Sequence, residues 1–260
     1  MEIIKSLYEI NDKQDKLSFL LQNKGEIKKA KMDMVKTFAT VQSVFNVKSA
    51  STSKALNVEL AQDEFFIVGN SIGFFDSHKD VSMKGSWNKT VQERGNRIPI
   101  IKDHRMIVDN LFAKNLGTSI QNITIRDLGF DVDGETEVVG AKIGDLDPYM
   151  LEKYSSGQIT EHSVGLRYVQ LRLAVNDPDS EDEFKVWTEN IDKVINRQDA
   201  EDNGYFWPVF EQKLIEISAV VLGSNPFTPA LKSLDKEPQK STQVSEPTYR
   251  GYEFLSKLNY

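Results

Sequence analysis

The 260-residue chain contains no cysteine and only three histidines, His78, His104 and His162. The first absence excludes disulfide stapling, thiol catalysis and cysteine-based zinc sites, and it fits a reducing compartment. It leaves the field to serine chemistry, and the scarcity of histidine makes the search for an imidazole base short. No run approaches the roughly 20 apolar residues of a membrane span, and Met1-Glu2-Ile3-Ile4-Lys5 lacks the basic-then-apolar layout of a signal peptide. The expectation is a soluble intracellular protein. Clustered basic surface is also lacking. The net charge is −7, and the short run around Lys28, Lys29 and Lys31 reads as a solvated helix face rather than a nucleic-acid site.

The residues that are present divide the chain. Apolar side chains fall at helical spacing from Asp12 to about Phe45: Leu17, Leu20 and Leu21, then Ile27, Met34, Phe38 and Val41 after a break at Gly25. This predicts a helical arm over 1–47. Residues 48–54 are small, polar and aperiodic, the composition of a linker. From 55 to 229 the pattern becomes that of a body built of short strands: Leu56, Val58 and Leu60; Phe65 to Val68; Ile98 to Ile101; Ile123 and Ile125; Val138 to Ile143 after the Asp133-Gly134 turn; Val164 to Leu173; and Leu214 to Leu222. Helices are expected at Ser86 to Arg94 and at Asp147 to Ser156, where Asp147 is the N-cap, Pro148 takes the first helical position and Gly157 ends the helix. The acidic stretch Asn176 to Glu183 reads as a hairpin loop, with a helix-like pattern from Trp187 to Ala200. Residues 230–260 lose apolar density and have the composition of a disordered tail with an aromatic end, Tyr249, Tyr252, Phe254, Leu255 and Tyr260. The fold class expected is β-rich α+β, a barrel or sandwich with peripheral helices.

Three segments deliver polar side chains suited to acyl transfer. Arg97-Ile98-Pro99-Ile100-Ile101-Lys102-Asp103-His104 is an apolar strand ending in a histidine. Glu161-His162-Ser163-Val164-Gly165-Leu166 offers a serine at the start of an apolar run. Lys213-Leu214-Ile215-Glu216-Ile217-Ser218-Ala219 carries a carboxylate between apolar neighbours, followed by Gly223-Ser224-Asn225-Pro226. In strand geometry Glu216 shares a face with Leu214 and Ser218, while Ile215, Ile217 and Ala219 turn to the other side. His162 is adjacent to Ser163, so its ring should diverge from the serine hydroxyl. Asp103 and Glu161 are reserve acids. His78 reads as a turn residue, and Asp131, Asp133 and Glu135 as a solvated turn rather than a calcium loop.

In order and spacing these segments resemble the tailed-phage prohead serine proteases, which share a barrel fold with the herpesvirus assemblins. The resemblance covers about Phe65 to Pro229, including the lead-in from Phe74 to Gly95 with Asp76, His78, Asp80, Val81 and Gly85-Ser86-Trp87. It implies an assemblin-like β-barrel and a serine endopeptidase with His104 as general base, Ser163 as nucleophile and Glu216 as the acidic third member, His162 being the assemblin-like rival for that third place. It implies no metal and no cofactor. Its substrates would be scaffold protein, the N-terminal segments of the major capsid protein and the chain itself, cut inside the assembling prohead in the host cytoplasm, with no nucleic acid or membrane as partner. A scaffold or capsid-assembly protein that keeps the barrel without cleaving is the alternative. The chain departs from the family pattern at Glu161 and Leu166, at Met106-Ile107-Val108-Asp109 and at Gly223-Ser224-Asn225, which bears on substrate preference and local geometry.

Overall fold

A computed structural model of the protein describes residues 2–34, 58–225 and 227–232. Three short helices open it: α1 (Glu2–Glu9), α2 (Lys13–Gln22) and α3 (Lys24–Asp33). Asp12 caps α2, its carboxylate accepting the Asp15 backbone N–H at 2.9 Å. Gly25, expected as a break, lies within α3, and the chain bends instead at Asn23, which ends one helix and starts the next. The more distal part of the expected arm, the linker at 48–54, and the tail after Lys232 lie outside the described residues.

The helices share the core of the body. Leu7, Leu20 and Ile27 are buried in the same cluster as Tyr168, Leu214 and Ile217. Lys28 and Lys29 are exposed, as a solvated helix face requires, but Lys31 turns inward. Its ammonium lies 2.7 Å from the buried Asp80 carboxylate, which also accepts a hydrogen bond from the Tyr168 hydroxyl. The same ammonium stands 5.7 Å and 5.6 Å from the ring centroids of Tyr168 and Trp207. A buried charge needs such partners, because desolvating it alone is costly.

The body is mixed α/β. Its elements are β1 (Phe65–Ser71), β2 (Asp80–Ser82), α4 (Asn88–Arg94), β3 (Ile100–Lys102), β4 (Leu111–Thr124), β5 (Glu135–Gly144), α5 (Pro148–Ser155), β6 (Glu161–Leu171), β7 (Ala174–Val175), α6 (Glu181–Asn190), α7 (Arg197–Asn203), β8 (Tyr205–Val220) and β9 (Ala230–Leu231). Asp147 caps α5 through the Met150 N–H at 2.8 Å, with Pro148 at its start. Val58 and Leu60, expected in a strand, are irregular and pack against the cluster around Phe66. The acidic stretch read as a loop instead turns into α6 at Glu181, where Glu181, Asp182 and Glu183 complement the positive helix start. No helix among the described residues is long and apolar enough to cross a membrane.

The strands form one large mixed sheet, and β8 organises it. On one side β8 pairs in parallel with β2 and β3; on the other it pairs antiparallel with β6 and β7. From β3 the order continues through β4, β5 and β1 to β9. The expected barrel is not closed: among the described residues β6 and β9, at the two ends, do not pair. The sheet curls instead. β1 crosses over β6 and β8 at Gly69, where a Cβ would lie only 2.8 Å from Val164 Cγ1 and 3.3 Å from Ile217 Cδ1. β1 is buried throughout, Phe65 and Ile67 facing one cluster and Phe66 and Val68 another. The gap between the ends is bridged by an irregular segment: Thr228 O accepts the His162 N–H at 3.2 Å and Pro229 O the Val68 N–H at 3.0 Å.

Candidate active site

The site lies where β6, β8 and β3 run side by side. In the β6–β8 ladder Ser163 stands opposite Ser218 and Gly165 opposite Glu216. Directly opposed residues share a face, so these four occupy one side of the sheet. Val164, Leu166, Leu214 and Ile217 occupy the other side and belong to the main apolar cluster. The alternation expected along β8, with Leu214 on Glu216's face, does not hold, because the register passes from Gly165–Glu216 to Leu166–Leu214, leaving Ile215 as an unpaired bulge. The extra residue reverses the alternation, burying Leu214 and leaving Glu216 on the site face.

β3 brings in the histidine. Ile101 is in register with Ser218 and Lys102 with Ala219, after which the chain turns at Asp103 and His104, both with left-handed backbone at φ 53° and 56°. Two successive non-glycine residues in that region are uncommon and need support from their surroundings. Asp103 N–H donates to Ala219 O at 3.1 Å, and His104 N–H to Ser218 Oγ at 3.0 Å. The turn folds the imidazole back over the sheet, where Nδ1 lies 2.6 Å from Glu216 Oε1.

Glu216 is 1% exposed, and its two oxygens have separate partners. Oε1 meets the imidazole; Oε2 accepts the Ser218 hydroxyl at 2.7 Å. Gly165 makes room for this arrangement, since a Cβ there would overlap Oε1 and come within 3.0 Å of the carboxylate carbon. With Nδ1–H donating to a carboxylate, the Nε2 lone pair is free to accept a proton, as a general base requires. Ser163 lies on the same face, one strand beyond Glu216, and is 7% exposed. Ser163 Oγ and His104 Nε2 make no hydrogen bond, to each other or to any other described residue. A base–nucleophile contact that forms only with substrate is common.

His162 is excluded from this group by geometry. It is fully buried on the opposite side, its Nδ1–H donating to Thr228 O at 2.8 Å and its Nε2 accepting the Tyr154 hydroxyl at 2.8 Å. The two rings stack with an interplanar angle of 16°. Burial lowers the imidazole to about 4, against which the hydrogen bond to Thr228 acts only in part. This histidine is a neutral strut between α5, β6 and the 227–229 segment. Of the reserve acids, Asp103 is exposed, while Glu161 accepts the Gly223 N–H at 2.7 Å and is raised by burial above the usual carboxylate range. His78 sits in a turn closed by Asp76, whose carboxylate accepts the N–H groups of His78 and Asp80 at 2.9 Å and 3.0 Å. Asp131 and Asp133 are both engaged by Arg126.

Ser218 is the member of the cluster that sequence reasoning left out of the site. The signal was its place two residues after Glu216 on the same strand face. No protein-family model, no curated protein and no solved structure matches this chain.

Proposed function

We propose that this chain is a serine endopeptidase, with Ser163 as nucleophile, His104 as general base and Glu216 as the acid that orients the imidazole. The observation that carries the reading is the Glu216–His104 contact at 2.6 Å, built on the sheet face that also bears Ser163. In the mechanism, His104 Nε2 takes the Ser163 proton as Oγ attacks a peptide carbonyl, then returns it to the leaving amine. Glu216 fixes the tautomer and stabilises the imidazolium formed in between. Water then hydrolyses the acyl-enzyme by the same route.

The resemblance to prohead proteases supplies the biological form of this reading. The chain would act inside an assembling prohead in the host cytoplasm, on scaffold, on N-terminal segments of the major capsid protein and on itself, and its curled sheet would correspond to an opened assemblin-like barrel. One observation favours the rival, a non-cleaving capsid-assembly protein: Ser163 and His104 are not in hydrogen-bond contact. Incubation with a peptide library derived from digested protein separates the two. New peptide termini in the wild type that are missing with Ser163→Ala and His104→Ala support the endopeptidase; an unchanged library in all three supports the assembly protein.

A further inference from the structure

The contact between His104 and Glu216 joins two strands, and a single hydroxyl holds both of its sides. Ser218 Oγ donates to Glu216 Oε2 at 2.7 Å and accepts the His104 backbone N–H at 3.0 Å. The residue is fully buried, so water does not replace either bond when one is lost. The two bonds act on different parts of the site. The first fixes which way the carboxylate plane faces, leaving Oε1 for the imidazole. The second pins the left-handed His104 backbone, at φ 56°, from which the ring swings. Beyond His104 the chain is exposed at Arg105, Met106, Ile107, Val108 and Asp109, and the apolar members have few neighbours to anchor the turn, Val108 being 81% exposed.

We infer that Ser218 is a positioning residue of the site, setting the tautomer and direction of the His104 imidazole through Glu216 and through the His104 backbone. The inference rests on the endopeptidase reading for its catalytic consequence, but not for its geometry. A serine chosen only to fill space in β8 would be replaceable by alanine, which has nearly its volume and packs beside the same neighbours. A positioning serine would not be. Alanine would leave Oε2 buried without this donor and the His104 N–H without this acceptor, a loss of two buried hydrogen bonds that corresponds to about a 10- to 100-fold effect.

The test uses the full-length protein carrying isotope-labelled histidine, with His104 assigned by its loss in His104→Gln. Nitrogen chemical shifts of the imidazole report the tautomer, and inactivation by diisopropyl fluorophosphate reports how far Ser163 is activated. The wild type is expected to hold the Nδ1–H tautomer. Ser218→Ala, still folded, should show a mixture of tautomers and an inactivation rate constant lower by about 10- to 100-fold, with affinity for the reagent unchanged. Ser218→Thr, which keeps the hydroxyl, should restore both. A folded Ser218→Ala with the wild-type tautomer overturns the inference, as does a folded Ser218→Thr that has lost it. If alanine does not fold, threonine alone decides by the same criterion. A wild type that resists the reagent counts against the endopeptidase reading, and the tautomer then decides on Ser218 by itself.

Discussion

Gly165 shows how closely this site is fitted at the scale of single residues. Its missing side chain is the space that Glu216 Oε1 occupies while meeting His104. If the chain is the endopeptidase proposed, Gly165→Ala should displace the carboxylate and lower peptidase activity by at least about 100-fold, while the apolar face of β6 keeps the protein folded; circular dichroism with a peptide-cleavage assay checks both. Glu216→Gln should cost about 10²- to 10⁴-fold in kcat, because an amide in its place disturbs the imidazole tautomer. A full rate in either variant would remove Glu216 from the mechanism. His162 gives a prediction of another kind. Its folded-state value of about 4 lies below the unfolded value of about 6.5, so the unfolded chain binds the extra proton. The stability this contributes is complete above about pH 6.5 and is lost as the pH falls towards 4, by about 3 kcal/mol in all. Urea midpoints measured between pH 7 and pH 4 should show that acid limb in the wild type and lack it in His162→Gln.

Among the elements, α3 and the three strands of the site have the clearest physical roles. Helix α3 is fastened to the body by a buried ion pair, so breaking one partner is worse than removing both. Lys31→Met takes one partner from the buried Asp80 and should destabilise the protein in chemical denaturation by up to about 3–5 kcal/mol, whereas Lys31→Met with Asp80→Asn should recover a substantial part of that loss. Equal losses in the single and double variants would contradict this role. The strand carrying Glu216, the strand carrying Ser163 and the cap and proline that start α5 were legible in the sequence. They rest on local signals: alternation for the strands, and side-chain chemistry at a helix start. The bulge at Ile215 was not legible, since nothing in an alternating run shows where one residue drops out of register. Nor was the inward turn of Lys31, because a lysine's solvation depends on Asp80, Tyr168 and Trp207, all distant in sequence.

At the scale of the molecule, the described residues form a mixed sheet curled around an apolar core, with its ends bridged by the 227–229 segment and the first helices built into the same core. Short strands in quick succession suggested a barrel, and closure is the property such a pattern specifies least. It depends on whether β6 and β9 meet, and here Gly69 lets β1 pack over Val164 by side-chain contact instead. Direct pairing of β3 and β6 with β8, together with the turn at Asp103 and His104, brings His104 to Glu216 and leaves Ser163 beside them on β6. Whether this face activates Ser163 is read by intact-mass analysis after treatment with diisopropyl fluorophosphate, followed by peptide mapping. A single adduct on Ser163 is expected, with none on Ser163→Ala and a strongly slowed one on His104→Ala. An unmodified wild type, or an adduct that persists in Ser163→Ala, would contradict activation of Ser163.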